Sequence, residues 1–316
     1  MRVLVLGGTR FLSRAVAVAA LARGHEVVCA ARGESGPAPA GAALVAVDRD
    51  QGLGPLVGQR FDAVVDVARM NVRWVRDALA GIAARHWTFV SSVSVYDAGG
   101  ALLPPQEDAE PADPDGYGKV KVASEDAVRA ARPDALIVRA GLICGPGDLS
   151  DRFGYWPARF ARGGRAVVPD VPDQPCQIVD VRDLAEWIVR CAEDGTGGTV
   201  DGVGPRSTLG AVLDEVAAAV GAPDLERVPV APDVLRAAGI EYWAGPRSLP
   251  LWLPPGHLGI ASHDPGPAAA AGLVCRPVAE TARATLEHEL ALGPDRDRRA
   301  GLTADDEVEL LAQVPA

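Results

Sequence analysis

The amino terminus alternates between strand, turn and helix, and this order constrains the fold more than any other feature. The apolar run Arg2–Leu6 has the character of a buried strand. It stops at Gly7-Gly8, and an Ala-rich, helix-prone segment follows from Ala15 to Arg23. A second strand is predicted directly after it, from Glu26 to Ala30. A strand, a glycine turn, a helix and a strand in this order predict a βαβ unit with parallel strands.

The glycine turn of this βαβ unit indicates which kind of ligand it could bind. Backbone N–H groups in such a turn, together with the first turn of the helix, can face a pyrophosphate. The sequence therefore predicts a dinucleotide-binding domain at the amino terminus.

A tyrosine and a lysine form the second informative pattern. The chain has only two lysines among its 31 basic residues, and Lys121 follows Tyr117 by four positions. Residues four apart share a helix face, so an ammonium would lie close to the phenol. A nearby ammonium lowers a tyrosine pKa, and the phenol then becomes a usable general acid or base near neutral pH.

Further segments follow in an order that resembles the extended branch of the short-chain dehydrogenase/reductase superfamily, which contains NAD(P)-dependent epimerases, dehydratases and reductases. The resemblance covers roughly residues 1 to 204. The segments that carry it are Phe61–Ala68, Ser91-Ser92-Val93-Ser94-Val95-Tyr96, Tyr117–Lys121, Arg139–Gly147 and Gln177–Ala185.

The resemblance implies a fold and a set of site residues. The fold is an α/β doubly wound (Rossmann) parallel sheet with a smaller C-terminal substrate domain. Ser92, Tyr117 and Lys121 would be the catalytic triad. The implied cofactor-binding residues are Gly7, Thr9, Arg10, Phe11, Leu12, Arg32, Asp48, Ala68, Tyr117 and Lys121.

The glycine turn departs from the family pattern. The family has Gly-x-x-Gly-x-x-Gly, whereas this chain has Gly7, Arg10 and Ser13 at the three positions. Ser13 is small enough to leave helix and strand close together. Arg10 could point outward and meet a phosphate.

The end of the second strand indicates which dinucleotide is bound. NAD-binding units usually place an acidic residue there for the ribose hydroxyls, but this chain reads Ala31-Arg32-Gly33. Arg32, together with Arg10, could bracket a 2′-phosphate through bidentate contacts. NADP(H) is therefore preferred, and NAD(H) remains possible. Asp48 would lie near the adenine.

Four further residues are candidates for substrate contact. Asn71 could reach the substrate or nicotinamide, or it could simply cap a helix. Ser94 follows the catalytic serine. Arg152 and Trp156 lie beyond the family's Gly-Pro-Gly turn, and Trp156 could equally belong to an apolar core.

Composition narrows the possible partners. A net charge of −11 argues against nucleic acid as the main partner. The five cysteines are widely spaced, and neither they nor the histidines show a metal-ligand pattern, so we expect no metal site and a reducing cytoplasm. No apolar stretch is long enough for a membrane span, and no signal peptide is expected. A small-molecule substrate is expected, and a homodimer is one expected assembly.

The predicted domain boundaries follow from the motifs. Residues 1–145 plus 177–204 would form the dinucleotide-binding domain, and residues 146–176 plus 205–316 the substrate domain. A proline-rich acidic segment, Leu103–Gly116, is predicted as a loop before the tyrosine helix.

The predicted activity is an oxidoreductase that transfers hydride between NADP(H) and a small-molecule carbonyl or alcohol. A sugar-nucleotide epimerase or dehydratase of the same fold is the nearer alternative. Dehydratases of the family carry Asp-Glu after the catalytic serine or threonine, and here those positions are Val93 and Ser94. A non-catalytic nucleotide- or RNA-associated protein is the more distant alternative.

Overall fold

The computed structural model describes residues 1–109, 113–293 and 296–313. The strands are β1 Arg2–Leu6, β2 Glu26–Ala31, β3 Ala43–Ala46, β4 Arg60–Asp66, β5 Ala83–Ser92, β6 Leu136–Ala140, β7 Leu142–Cys144, β8 Arg165–Pro169, β9 Pro175–Cys176, β10 Ile178–Asp180, β11 Gly198–Gly202, β12 Ser207–Thr208, β13 Glu226–Val230, β14 Glu241–Trp243, β15 Gly245–Pro246, β16 Ser248–Pro250 and β17 Ala300–Gly301. The α-helices are α1 Phe11–Ala22, α2 Val72–Gly81, α3 Gly116–Ala131, α4 Tyr155–Ala161, α5 Val181–Asp194, α6 Leu209–Val220, α7 Pro232–Ala237, α8 Gly266–Ala270, α9 Val278–Leu292 and α10 Ala304–Leu311.

Seven parallel strands form the central sheet in the order β3-β2-β1-β4-β5-β6-β11. This order reverses direction between β1 and β4, as in a doubly wound sheet, so ligands are expected outside the carboxyl ends of these strands. Helix α1 packs against α5, and α2 packs against α3. Right-handed crossovers place these two pairs on opposite faces of the sheet. The predicted doubly wound α/β fold is confirmed.

Buried aliphatic and aromatic side chains on the strands explain why the sheet forms. Strand β1 buries four of its five residues, and β6 buries all five. Continuous burial of this kind is expected of parallel strands that are covered on both faces. One core cluster includes Leu4, Val64 and Phe89 from three neighbouring strands.

The chain divides into two compact units. The first contains residues 1–141, 181–204 and 263–274, and the second contains residues 142–180, 205–262 and 275–316. The segment 263–274, which the sequence prediction placed with the substrate domain, belongs to the first unit. Residues 142–145 and 177–180, which it placed with the dinucleotide-binding domain, belong to the second. There Trp187 Nε1 donates to the carbonyl oxygen of Ala271 at 2.9 Å, and Arg190 donates to that of Gly272 at 2.6 Å.

The second unit is built from short strand pairs and helices around its own core. Strand β8 pairs with β13, and α4 packs against α6 and α9. Its core includes Trp156, Phe160 and Trp252, all almost completely buried. Of the predicted loop Leu103–Gly116, residues 110–112 lie outside the described residues.

Candidate functional site

Two glycines give the turn after β1 its shape. Gly7 and Gly8 have φ angles of 129° and 97°, which L side chains rarely adopt. A Cβ on Gly8 would also lie 2.3 Å from the sulfur of Cys29 on β2. Helix α1 starts at Phe11, whose φ of 39° is also in the left-handed region. Strain of this kind concentrates at ligand-binding sites, so the turn is a candidate for one.

Ser13 occupies the place of the family's third glycine and keeps the turn compact. Its hydroxyl donates to the carbonyl oxygen of Arg10 at 2.7 Å. A Cβ built on Gly7 would lie 3.1 Å from the Cβ of Ser13. This contact allows only small residues at both positions, as the sequence argument for a serine here assumed.

A cavity of about 530 Å³ lies within the first unit, beside this turn. Several predicted site residues line it. Phe11, the buried Leu12 and the three predicted catalytic residues Ser92, Tyr117 and Lys121 are not among its lining residues. The predicted residues in the lining are Gly7, Thr9, Arg10, Arg32, Asp48, Ala68 and Asn71.

The cavity lining carries more positive than negative charge, although the chain as a whole is acidic. Four arginines line the cavity, against two aspartates at positions 48 and 50. The arginines are Arg10, Arg32, Arg49 and Arg69. A cavity with this balance favours an anionic ligand.

Arg32 and Asp48, two of the predicted cofactor-binding residues in this lining, differ in how firmly their side chains are held. The Arg32 side chain is 58% exposed and lies 3.3 Å from the carboxylate of Glu34, an exposed pair that holds it only weakly. Asp48 accepts a hydrogen bond from the backbone N–H of Asp50 at 3.1 Å and thereby caps a short 3₁₀ helix, Arg49–Gln51.

Sequence reasoning missed a buried ion pair below the cavity. Arg49 donates two hydrogen bonds to the carboxylate of Asp66, at 2.7 and 3.0 Å, and a third to the carbonyl oxygen of Trp74 at 2.5 Å. The Asp66 side chain is completely buried. An aspartate directly after the apolar run Ala63–Val65 was the available signal, because a buried carboxylate requires a partner.

The predicted catalytic serine lies at the end of β5. Ser92 Oγ donates to Ser94 Oγ at 3.1 Å and accepts from the Ser94 backbone N–H at 3.1 Å. Helix α3 approaches this turn very closely, because a Cβ on Gly118 would lie 1.9 Å from the carbonyl oxygen of Ser94. Gly118 directly follows Tyr117, so the tyrosine lies on the part of α3 that packs against the serine turn.

Lys121 is buried, and its ammonium is held by backbone carbonyl oxygens. It is 2% exposed, and its ammonium donates to the carbonyl oxygens of Ala68 and Val90 at 2.5 and 2.7 Å. It lies 4.7 Å from the ring centroid of Phe89 and 5.9 Å from that of Tyr117. Burial lowers the pKa of Lys121 to about 7, although the nearby Asp66 carboxylate opposes the change.

The remaining candidates have structural contacts of their own. Asn71 caps α2 by accepting a hydrogen bond from the N–H of Trp74 at 3.1 Å, and it also lines the cavity. In the second unit, the guanidinium of Arg152 lies over the ring of Trp243. Trp156 has no exposed surface, and its indole N–H donates to the carbonyl oxygen of Pro250 at 3.0 Å, so it is a core residue.

The fold and the cavity together define a nucleotide-binding α/β protein of the Rossmann type. The model of the NAD dependent epimerase/dehydratase family matches residues 3–202. The chain therefore belongs to the NAD dependent epimerase/dehydratase family, which confirms the superfamily that the sequence motifs indicated.

Two curated relatives are reductases. The chain is 36% identical to a 2′-dehydrokanamycin reductase of Streptomyces kanamyceticus over 184 residues, which is 54% of this chain and 52% of that protein. It is 36% identical to a dTDP-4-dehydrorhamnose reductase of Mycobacterium tuberculosis over 114 residues, which is 35% of this chain and 37% of that protein. The chain thus spans about half the length of the first relative and about a third of the second.

Solved structures share the fold over most of the chain. The Bordetella bronchiseptica enzyme WbmF, solved in complex with NAD⁺, has a TM-score of 0.64 at 13% identity, with 92% of each chain covered. A putative epimerase from Burkholderia cenocepacia has a TM-score of 0.61 at 22% identity, with 92% of this chain and 98% of that chain covered.

Proposed function

We propose that this protein is an NADP-dependent reductase that converts a ketone on a sugar-type substrate into an alcohol. The observation that carries the proposal is the arginine-lined cavity at the carboxyl edge of the sheet, beside the Gly7-Gly8 turn. Membership of the NAD dependent epimerase/dehydratase family supports binding of a dinucleotide, and the two related reductases support reduction of the substrate.

The residues present fit a dinucleotide that carries an additional phosphate. The residues directly after β2 are Arg32 and Gly33 instead of an acidic residue, and Arg32 and Arg10 both line the cavity. A weakly held, exposed arginine can turn to a phosphate without losing a strong partner. Within the described residues, Arg49 Nε is buried without an acceptor, so a ligand atom could satisfy it.

The proposed chemistry divides the work among three side chains. Bound NADPH would supply the hydride to the carbonyl carbon. The Tyr117 hydroxyl would donate its proton to the carbonyl oxygen, and Ser92 Oγ would turn from Ser94 to donate a hydrogen bond to that oxygen. Lys121 would stabilise the tyrosinate that is left behind, and its ammonium would also hold the nicotinamide ribose.

The substrate class comes from the relatives. Both reductases are named for dehydro compounds, in which a carbinol of a sugar-containing molecule is replaced by a ketone. The substrate proposed here is therefore a keto sugar or keto glycoside. Contacts from Arg152 and Ser94 to this substrate remain predictions, and the fully buried Trp156 is not proposed.

Replacing Arg32 by alanine tests the cofactor assignment. The variant should bind NADPH less tightly and NADH almost unchanged, because only NADPH carries the 2′-phosphate. Fluorescence titration of the nicotinamide measures both affinities. Arg14→Ala is the matched control, since Arg14 is an exposed cation on α1 whose guanidinium binds the carbonyl oxygen of Pro37 instead. Equal weakening of both cofactors in Arg32→Ala would reject the assignment.

Replacing Tyr117 by phenylalanine tests the proton donor. We expect turnover to fall by at least ~10²-fold, the usual contribution of a general acid or base, while the affinity for NADPH changes little. Single-turnover NADPH oxidation with a keto sugar substrate measures the rate. Nearly full turnover would remove Tyr117 from the mechanism.

An epimerase remains the second candidate, because the family model and the Burkholderia cenocepacia neighbour, among others, carry that name. A reductase consumes one NADPH for each product molecule, whereas an epimerase returns the hydride and retains its cofactor. Interconversion of isomers without a net change in nicotinamide absorbance, by a protein that retains NAD(P) through gel filtration, would favour the epimerase.

The cellular setting and the assembly belong to the same proposal. None of the helices in the described ranges is long and apolar enough to cross a membrane. We propose a cytoplasmic enzyme that acts on a small molecule and forms a homodimer. The first unit would be the dinucleotide-binding domain, and the second would be the substrate domain.

A further inference from the structure

The carboxylate of Asp66 has two tasks at the end of β4. One is the ion pair with Arg49 described above. The other is local, because Asp66 Oδ1 accepts a hydrogen bond from the backbone N–H of Ala68 at 2.9 Å. Asp66 is paired in register with Leu6 of β1 and Phe89 of β5, so both contacts of its carboxylate lie at the carboxyl edge of the sheet, between β1 and β5.

The turn that Asp66 holds is also the turn that anchors Lys121. The N–H of Ala68 binds Asp66, and the carbonyl oxygen of Ala68 accepts the Lys121 ammonium. The second anchor is the carbonyl oxygen of Val90 on β5. An ammonium has three donors, so these two bonds leave one donor for another acceptor.

In addition to burial, charged side chains at the end of β4, in the turn after it and on α3 affect how stable the Lys121 ammonium is. Asp66, at the end of β4, does most to favour the ammonium, and Arg69, in the turn after it, opposes this. Glu125, one helical turn along α3, favours the ammonium to a smaller degree. The Glu125 carboxylate is itself bound by Arg139 at 2.7 Å and by Arg129 at 2.6 Å. The phenol of Tyr117 precedes Lys121 by one turn of the same helix.

We propose that Asp66, held in place by Arg49, is a positioning residue for Lys121. Its carboxylate fixes the turn whose carbonyl oxygen anchors the ammonium, and its negative charge stabilises that ammonium in a buried site. The inference rests on the proposed function only where it assumes that Lys121 matters for turnover. The effect of Asp66 on the Lys121 ammonium does not depend on which reaction the protein catalyses.

The lysine content makes a direct measurement possible. Lys119 and Lys121 are the only two lysines, so protein labelled with ¹³C at lysine Cε gives two lysine signals, which the Lys119→Arg variant assigns. A pH titration by NMR then reports the protonation midpoint of Lys121 alone. We expect Asp66→Asn to lower this midpoint by ~1 pH unit, since an opposite charge nearby contributes one unit or more. Asparagine keeps an acceptor for the Ala68 N–H, but it removes the charge and one of the two oxygens that bind Arg49.

Two further variants keep the result interpretable. Asp62→Asn removes a carboxylate from the same strand, but from its amino-terminal half, where Asp62 accepts from the N–H of Arg2 at 2.7 Å. It should leave the Lys121 midpoint unchanged. If the unpaired Arg49 prevents Asp66→Asn from folding, the double variant Arg49→Met/Asp66→Asn removes both charges. Its midpoint should still be lowered, but by less than in Asp66→Asn, because the Arg49 cation is lost as well and Asp66 is the carboxylate that acts most on Lys121.

Turnover provides the second readout. If the ammonium form is needed, kcat/KM falls as pH rises through the Lys121 midpoint, and in Asp66→Asn this fall should occur at lower pH. A purely structural role would lower kcat/KM at every pH without moving the fall. An unchanged Lys121 midpoint in the folded Asp66 variants would overturn the inference. A lowered midpoint without any change in the pH profile of turnover would instead count against Lys121 in the proposed function.

Discussion

Lys121 should make the stability of the protein depend on pH in a way that one substitution removes. In the folded chain burial lowers the pKa of Lys121 from its ordinary value of 10.5 to about 7. Between these two values the unfolded chain binds a proton that the folded chain does not, so the free energy of unfolding rises with pH. Below pH 7 both states are protonated, and the folded protein bears the full cost of the buried charge.

The size of this effect follows from the lowered pKa. Each pKa unit is worth about 1.4 kcal/mol, so the free energy of unfolding should gain roughly 4 kcal/mol from Lys121 between pH 7 and pH 10. Lys121→Met removes the titrating group. It also leaves the carbonyl oxygens of Ala68 and Val90 without their donor, at about 1–3 kcal/mol each, but this cost does not depend on pH.

The assay therefore compares how steeply the free energy of unfolding changes with pH in two proteins. Urea unfolding of the wild type and of Lys121→Met is followed by tryptophan fluorescence at several pH values from 6 to 10. Every other titrating group is common to both proteins, so their difference isolates Lys121. We expect the difference in the free energy of unfolding to rise in favour of the wild type as pH increases. Two parallel profiles would show that Lys121 titrates alike in both states and would refute the reasoning.

Two other substitutions test separate parts of the structure. Gly118→Ala would gain about 1 kcal/mol of helix propensity at a tolerant site, but here its Cβ would collide with the carbonyl oxygen of Ser94. We therefore expect both the thermal stability and the rate of keto sugar reduction to fall. Unchanged values would contradict the close approach of α3 to Ser94. Burial lowers the pKa of His86 to about 4, so the wild type should lose about 3 kcal/mol as pH falls from 6.5 to 4. His86→Gln should lack this loss in urea unfolding, and an equal loss in both proteins would assign it to other groups.

Much of the fold could be predicted because its signals are local. The apolar run of β1, the glycines after it and the spacing of Tyr117 and Lys121 each lie within a few residues. The start of α1 was predicted four residues too late, at Ala15 instead of Phe11. The residues there have no strong helix signal, and the positive φ of Phe11 cannot be read from a phenylalanine.

The contacts that tune the site could not be predicted in the same way. Arg49 and Asp66 are 17 residues apart and come from a 3₁₀ helix and a strand, so no periodic pattern connects them. The acceptors of Lys121 are backbone carbonyls at the ends of β4 and β5, and a backbone acceptor has no sequence signature. The burial of Trp156 likewise depends on the packing of the whole second unit.

The affinities of the wild-type protein for NADPH and NADH test the central claim most directly. Freshly purified protein is titrated with each cofactor, and binding is followed by nicotinamide fluorescence. We expect NADPH to bind at least about tenfold more tightly, since one charge-assisted hydrogen bond to a phosphate is worth ~1.5 kcal/mol or more. Equal affinities, or tighter binding of NADH, would contradict it.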